Sequence, residues 1–128
     1  MNKQDIIRLL NDFPYDHKEY WVITGAAMVL HGFKDQTRDI DLGCSRKLAD
    51  RLEADGYLHA TTEDGLRWFK VGEDIEIFED WLYDGVTRTE SIPVITPKGL
   101  IQMKQSLGRK KDLEDIRLIK KHCQIYIK

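Results

Sequence analysis

The chain has 128 residues, and 33% of them are charged, yet 20 Lys and Arg nearly balance 22 Asp and Glu for a net charge of -2. This length predicts a single domain, residues 1–128, with its own core. The balanced charge gives no signature of duplex DNA or anionic membrane as a partner. The longest apolar run, 26–30, is far shorter than the ~20 residues that span a bilayer.

The N-terminal residues and the cysteines predict a cytoplasmic protein. The N-terminal residues 1–5 lack the basic-then-apolar pattern of a signal peptide. Cys44 and Cys123 lie far apart and have no paired-ligand spacing, so the sequence predicts reduced thiols and no zinc site.

The first half of the chain predicts helices alternating with strands. Apolar residues at helical spacing, β-rich runs and glycine or proline stops define the elements. In chain order they are a helix at 3–12, a strand at 20–24, a helix at 25–31 that Gly32 ends, a strand at 38–43 and a helix at 45–54.

The second half predicts a β-rich stretch followed by two helices. Strands are expected at 58–61, 66–71 and 74–78, with a last edge strand at 91–95 where Pro93 is tolerated. Thr96-Pro97 opens a helix, and Gly108 separates it from a final helix at 111–122. The predicted class is α+β: a small mixed sheet flanked by helices, with an α/β core at 1–95 and a helical segment at 96–128.

Asp39 and Asp41 are separated by one residue within an apolar run, Asp39-Ile40-Asp41-Leu42. Residues i and i+2 of a strand share a face, so a strand at 38–43 would point both carboxylates one way and Ile40 the other. Two like charges this close oppose each other's ionisation, and a divalent metal ion between them removes that cost. The pair predicts a metal site. The pattern alone leaves a second interpretation open, a surface strand end with one turn-forming Asp.

Thr24-Gly25-Ala26 forms the turn from the first predicted strand into the following helix. Such a turn points free backbone N–H groups forward, and the helix dipole favours an anion there. These three residues are therefore predicted to bind phosphates. A phosphate-binding turn beside a carboxylate pair is what metal-assisted phosphoryl transfer requires, with Mg²⁺ bridging phosphate oxygens.

A third acid would complete such a site, and Glu76 is favoured over Asp74 because Asp74 lies nearer the Gly72 turn. An acid-x-acid pair is by itself weak evidence for a metal site, because the chain contains four such pairs. Two of them fall on predicted helices, where i and i+2 do not share a face, and are expected to be solvated. The four pairs are Asp39/Asp41, Glu53/Asp55, Asp74/Glu76 and Asp112/Glu114.

Lys104 falls in the middle of an apolar stripe on the predicted helix after Thr96, formed by Leu100, Ile101, Met103 and Leu107. A lysine there either extends its stem across the core edge or reaches an anion. Beside a triphosphate site, phosphate contact is the favoured interpretation.

The aromatic residues carry a weaker signal. They most simply pack in the core or at its rim, although one near the site could stack on a nucleobase. The sequence does not select which of them would do so: Trp21, Trp68, Phe69, Phe78 or Trp81.

Two blocks of this sequence resemble the nucleotidyltransferase superfamily with the DNA polymerase beta-like fold. That family has a Gly-Gly or Gly-Ser turn opening a helix, then an Asp-x-Asp strand and a third acid on a later strand. Residues 23–32 match the first block and residues 37–42 the second, while 96–104 and 109–116 resemble the C-terminal helices. The similarity is greatest to small bacterial members, which include toxin-antitoxin and antibiotic-modifying nucleotidyltransferases.

The resemblance implies transfer of a nucleoside monophosphate from Mg²⁺-NTP to an acceptor hydroxyl, with release of pyrophosphate. It implies Asp39, Asp41 and Glu76 as metal ligands and catalytic residues at a two-metal Mg²⁺ site. Thr24, Gly25, Ala26 and Lys104 would bind the nucleotide, for which ATP is one candidate. The acceptor is open (protein, RNA or small molecule), and a protein partner or a second copy could complete the site.

The sequence departs from the family pattern at three positions. Ala26 replaces the second glycine or serine, Asp35 stands where some relatives carry arginine, and Glu76 stands where aspartate is common. Two alternatives therefore stay open: a catalytically weak or inactive nucleotide-binding regulator, and a toxin-antitoxin partner protein. A partner protein would act through the strand at 92–95 or the C-terminal helices.

Overall fold

The computed structural model of the protein describes residues 1–123. Within this range the chain forms five α-helices, seven strands and one short 3-10 helix, His17–Glu19. The helices are α1 (Lys3–Asn11), α2 (Thr24–Leu30), α3 (Arg46–Ala54), α4 (Pro97–Leu107) and α5 (Lys110–His122). The strands are β1 (Tyr20–Ile23), β2 (Ile40–Cys44), β3 (His59–Thr61), β4 (Arg67–Val71), β5 (Ile75–Glu79), β6 (Val86–Thr89) and β7 (Ile92–Ile95).

The strands form one mixed sheet in the order β3-β4-β5-β2-β1-β7-β6. The β2–β5 and β1–β7 pairs are parallel, and the other neighbouring strands are antiparallel. The predicted α+β class with a mixed sheet flanked by helices is confirmed. The sheet is larger than predicted, because β6 joins it.

The two faces of β2 have different environments, because successive side chains alternate. Ile40, Leu42 and Cys44 are fully buried in the hydrophobic core. Helices α2 and α3 pack against this strand, and α3 contributes its own buried apolar side chains to the same core. Asp41 and Gly43 point to the opposite face, which carries the chemistry described below.

Helix caps follow the sequence signals. Ser45 accepts a hydrogen bond from the Leu48 amide (3.1 Å) at the start of α3. Thr96 accepts one from the Gly99 amide (3.0 Å) at the start of α4. Gly108 ends α4 with a φ of +64°, where the absence of a side chain avoids strain. No helix within residues 1–123 is long and apolar enough to cross a membrane.

Three predicted elements are corrected. Strand β2 begins at Ile40, so Asp39 lies in the connection before it and not in a strand at 38–43. Strand β7 is not an edge strand, because β6 lies outside it. Three of the four β6 residues are exposed, so the sequence offered no apolar alternation to reveal it. Thr24 belongs to α2 and not to the preceding strand. Residues 124–128 of the predicted helical segment lie outside the described residues.

Gly43 allows the Trp21 side chain and the Trp81 backbone to lie directly over strand β2, on the face of the sheet that carries Asp41. A Cβ atom at this position would overlap the Trp21 indole nitrogen and lie 2.6 Å from the Trp81 carbonyl oxygen. The Trp21 Nε1–H donates a hydrogen bond to that carbonyl (2.9 Å). The bare glycine backbone therefore permits Trp21 to anchor the segment that follows β5.

We predict that Gly43→Ala lowers the free energy of unfolding by about 1–3 kcal/mol, the range for overpacking a buried site. Gly85→Ala is the control, because a Cβ there meets no atom within 4 Å. Urea unfolding of both variants measures the effect. Equal free energies of unfolding for the two variants would contradict the close packing of Trp21 and Trp81 over Gly43.

Candidate active site

A cavity of about 540 Å³ opens on the face of the sheet that carries Asp41. Its walls bring together five of the seven predicted site residues: Thr24, Gly25, Asp39, Asp41 and Lys104. The wall also contains further cations, aromatic rings and one more acid: Lys34, Arg38, Arg109, Lys111, Trp68, Phe78, Trp81 and Asp115. Thr37 and Leu107 complete it.

Asp41 is the half-buried acid at the centre of this wall. Its Oδ2 accepts a hydrogen bond from the Thr24 hydroxyl (2.7 Å). Burial raises the pKa of Asp41; the Thr24 hydrogen bond opposes this rise, and the charges of Asp39 and Glu76 add to it. A cation that binds next to Asp41 would therefore stabilise its ionised form. Asp39, which precedes the strand, is exposed.

Glu76 lies directly beside Asp41, because the parallel register of β2 and β5 pairs these two residues. It is half-buried and stands next to the cavity wall. Asp74 precedes β5, is exposed, and contributes its carbonyl oxygen to a backbone hydrogen bond from Ile40 (2.8 Å). Glu76 is thus the acid that pairs with Asp41, and its role as the third acid stays a prediction.

The turn into α2 is tightly constrained. Thr24 has a φ of +53°, a left-handed conformation that is unusual for a β-branched residue and costs of order 1–3 kcal/mol. A Cβ on Gly25 would lie 2.8 Å from the Thr37 hydroxyl, so glycine permits the loop before β2 to approach. Ala26 is 1% exposed, belongs to the core and is not among the residues that line the cavity, so phosphate binding by Ala26 stays a prediction. A hydroxyl at position 26 would enter the core.

Lys104 is buried and already has carboxylate partners. Its Nζ lies 2.9 Å from Asp115 Oδ2 and 3.6 Å from Asp112 Oδ1. Lys34 and Arg109 extend the cluster at its two ends. Lys34 Nζ lies 2.8 Å from Asp115 Oδ1. Arg109 Nε lies 2.6 Å from Asp112 Oδ2. We call these five residues the ion chain; signs alternate along it, and it carries one net positive charge. Phosphate contact by Lys104 stays a prediction.

Asp112 corrects the expectation that the pair Asp112/Glu114 is solvated. Asp112 is fully buried and caps α5 by accepting hydrogen bonds from the Arg109 backbone amide (3.1 Å) and side chain. Glu114 is exposed, as expected. A buried carboxylate needs such partners. The charged residues around Asp112 in the sequence, 109–115, indicated a solvated helix start instead.

Sequence reasoning missed the cations and did not select the aromatic rings of the wall. Lys34, Arg38 and Lys111 line the cavity, and the charge of Lys111 lowers the pKa of Asp41. Asp35 is exposed and lies outside the wall, so its charge does not face the cavity directly. The one local signal for a cation in the wall was that Arg38 directly precedes Asp39 in the sequence.

The donor set suits Mg²⁺, which is commonly held by one or two carboxylates together with substrate phosphates. Asp39 and Asp41 supply such oxygens, and Glu76 lies next to Asp41. Among residues 1–123, no three His, Cys, Asp or Glu side chains are grouped closely enough to hold a metal ion alone. Binding of Mg²⁺ by Asp39, Asp41 and Glu76 stays a prediction.

A larger cavity of about 810 Å³ lies elsewhere, lined by residues that include His31, Phe33 and Ile101. The His31 ring contacts the Ile95 carbonyl oxygen (2.7 Å), and burial lowers its pKa despite this contact. No acid lines this cavity within the described chain. The carboxylates and cations select the smaller cavity as the candidate active site.

Comparisons with known proteins establish the fold. No protein-family model matches the sequence, and a search of curated proteins gives no significant match. Two solved structures match over nearly their whole length. A candidate nucleotidyltransferase from Thermotoga maritima has a TM-score of 0.59 and 18% identity, covering 91% of this chain and 93% of its own. The lincosamide antibiotic adenylyltransferase LnuA, bound to lincomycin, has a TM-score of 0.58 and 19% identity, covering 94% and 97%. The chain therefore has the nucleotidyltransferase-like fold, as the sequence blocks predicted.

Asp41→Asn tests the electrostatics of the wall. The folded-state pKa of Asp41 is raised above its ordinary value of 3.8, so ionisation of Asp41 lowers the free energy of unfolding. This cost begins as pH rises above 3.8 and is complete above the folded-state pKa. Asparagine keeps an acceptor for Thr24 without the charge. We expect the free energy of unfolding of the variant to equal that of the wild type near pH 4. At pH 7 it should be higher by a few tenths to about 1 kcal/mol. Urea unfolding across this pH range measures it; a less stable variant at pH 7 would contradict the account.

Asp115→Asn should have the opposite effect. Burial opposes ionisation of Asp115, but hydrogen bonds from Lys34 and Lys104 outweigh it, so its pKa lies below the ordinary 3.8. The stabilising contribution of ionised Asp115 to the free energy of unfolding is therefore present above pH 4 and is lost only as pH falls further. We expect a loss of about 2–4 kcal/mol in urea unfolding, roughly constant from pH 4.5 to 7.5, because buried Lys104 loses a partner. Exposed Glu114→Gln is the control, and a loss no larger than that of the control would show that the ion chain does not stabilise α4 against α5.

Proposed function

We propose that this protein is a nucleotidyltransferase, which transfers a nucleoside monophosphate from Mg²⁺-NTP to an acceptor hydroxyl and releases pyrophosphate. One observation carries the proposal: Asp39 and Asp41 line a single cavity together with cationic side chains, and Glu76 lies beside Asp41. The fold shared with the adenylyltransferase LnuA supports this reaction class. Acidic residues suit the metal, and cations suit the phosphates.

Asp39, Asp41 and Glu76 would hold the metal. Bound Mg²⁺, with two ions at such a site, would polarise the phosphoryl oxygens and neutralise charge that develops during transfer. The protein's own contribution is to fix the carboxylates before the substrate arrives. Thr24 does so for Asp41 through the 2.7 Å hydrogen bond.

Transfer requires the acceptor oxygen to attack the α-phosphorus while the bond to the pyrophosphate oxygen breaks. The acceptor hydroxyl proton must leave, and Glu76 is the proposed group that orients the hydroxyl or accepts this proton. Lys34, Arg38 and Lys111 would offset the charge of the departing pyrophosphate, and Lys104 would contribute through the ion chain. Gly25 and the Ala26 backbone would lie along the phosphates.

A second function is favoured by one observation. Lys104 already holds Asp115 and Asp112, so its charge is partly neutralised before any phosphate arrives. A regulator that binds Mg²⁺-NTP without turnover would need no free cation at the leaving group. Incubation with Mg²⁺ and each α-labelled NTP, alone and with cell lysate, separates the two functions. Label on a macromolecule or small acceptor supports transfer, and tight NTP binding without label supports the regulator.

We predict that Asp41→Asn and Glu76→Gln each lower Mg²⁺-dependent label transfer by at least roughly a hundredfold, because each removes a proposed metal ligand. Asp74→Asn is the matched control: an exposed acid of the same segment, outside the cavity wall. Its transfer rate should stay within about twofold of wild type. Full activity in Asp41→Asn, or equal losses in Asp74→Asn and Glu76→Gln, would contradict the assignment.

A further inference from the structure

The face of the sheet that carries Asp41 has two adjacent rows of side chains. Strand register places Lys70, Glu76 and Asp41 side by side in the first row. Two residues further along β2, the second row contains Trp68, Phe78, Gly43 and Trp21. Alternation along each strand puts both rows on the same face, about 7 Å apart. A row that contains two acids and one lysine thus lies next to an aromatic one.

The aromatic row is held rigidly and has an open side. The Trp68 and Phe78 rings are stacked, with centroids 5.7 Å apart and an interplanar angle of 12°. Trp81 meets the Phe78 ring edge-on at 5.1 Å, and the Trp21 indole holds the Trp81 backbone by a hydrogen bond. Trp68 is nevertheless 43% exposed, although burial of such a ring is usually favourable.

The wall of the cavity is ordered along β2. Arg38 lies before the strand, the acids follow at Asp39 and Asp41, and the aromatic row lies beyond them at Gly43. A nucleoside triphosphate has the same order of groups: a polyanion, the reacting phosphate, a sugar and a planar base. This match favours the nucleobase over the acceptor as the group beside the rings.

We propose that Trp68, supported by Phe78 and Trp81, forms the stacking surface for the nucleobase of the NTP. The proposal rests on the proposed nucleotidyl transfer and adds the subsite that holds the base. Stacking on an indole tolerates all bases, because every base has a π-face, and it favours purines by their larger area. We therefore expect ATP and GTP to bind more tightly than CTP and UTP.

The test is calorimetric binding of Mg²⁺-ATP and of Mg²⁺-tripolyphosphate, which has the anion but no base. Trp68→Leu keeps apolar area but removes the ring, and Trp68→Phe restores a smaller ring. The matched control is Val86→Ala, because Val86 is 44% exposed and lies on β6, at the opposite end of the sheet. Thermal unfolding of each variant checks that the fold is kept.

We expect Trp68→Leu to weaken ATP binding roughly tenfold or more and to leave tripolyphosphate binding unchanged. Trp68→Phe should recover part of the loss, and Val86→Ala should show none. ATP affinity that does not depend on Trp68 would overturn the stacking surface while leaving nucleotidyl transfer intact. Equal loss for ATP and tripolyphosphate would also overturn it, because the effect would not concern the base. Wild-type protein that binds no Mg²⁺-NTP would refute both proposals.

Discussion

The parallel register of β2 and β5 sets Asp41 beside Glu76, and this enforced proximity of two carboxylates governs the rest of the site. The pairing of these two central strands fixes the Cα positions of both residues side by side. Thr24 adopts a strained backbone conformation and donates its hydroxyl to Asp41. A strained backbone at Thr24 and a raised pKa at Asp41 thus occur together, which is typical of functional sites.

The acids in and beside the cavity fall into two kinds with different electrostatic environments. Asp112 and Asp115 have cationic partners within the protein, and their pKa values are lowered. Burial raises the pKa of Asp41, and the like charges of Asp39 and Glu76 add to this rise. The first kind joins α4 to α5 and fixes the helical side of the cavity. Asp41 would be stabilised in its ionised form by an added positive charge. A ligand that carries a metal ion would therefore bind beside Asp41.

Local patterns predicted the parts of the site that lie on regular elements. The acid-x-acid pair, the glycine turn and the alternation around Glu76 are short-range signals, and they located β2, α2 and β5 to within two residues. The partners of Lys104 could not be predicted, because Asp115 is eleven residues away and meets it only after two helices pack. The aromatic row was equally hidden: Trp68 and Phe78 become neighbours through strand register, which the sequence does not specify.

The most direct test is a crystal structure of the protein with Mn²⁺ and a non-hydrolysable nucleoside triphosphate, in which anomalous scattering locates the ion. We expect a peak within coordination distance of Asp39 and Asp41, with the phosphates directed towards Arg38 and Lys111. An ion and nucleotide bound in the cavity beside His31 and Phe33, or carboxylates of Asp39 and Asp41 turned apart with no ion between them at saturating concentrations, would contradict it.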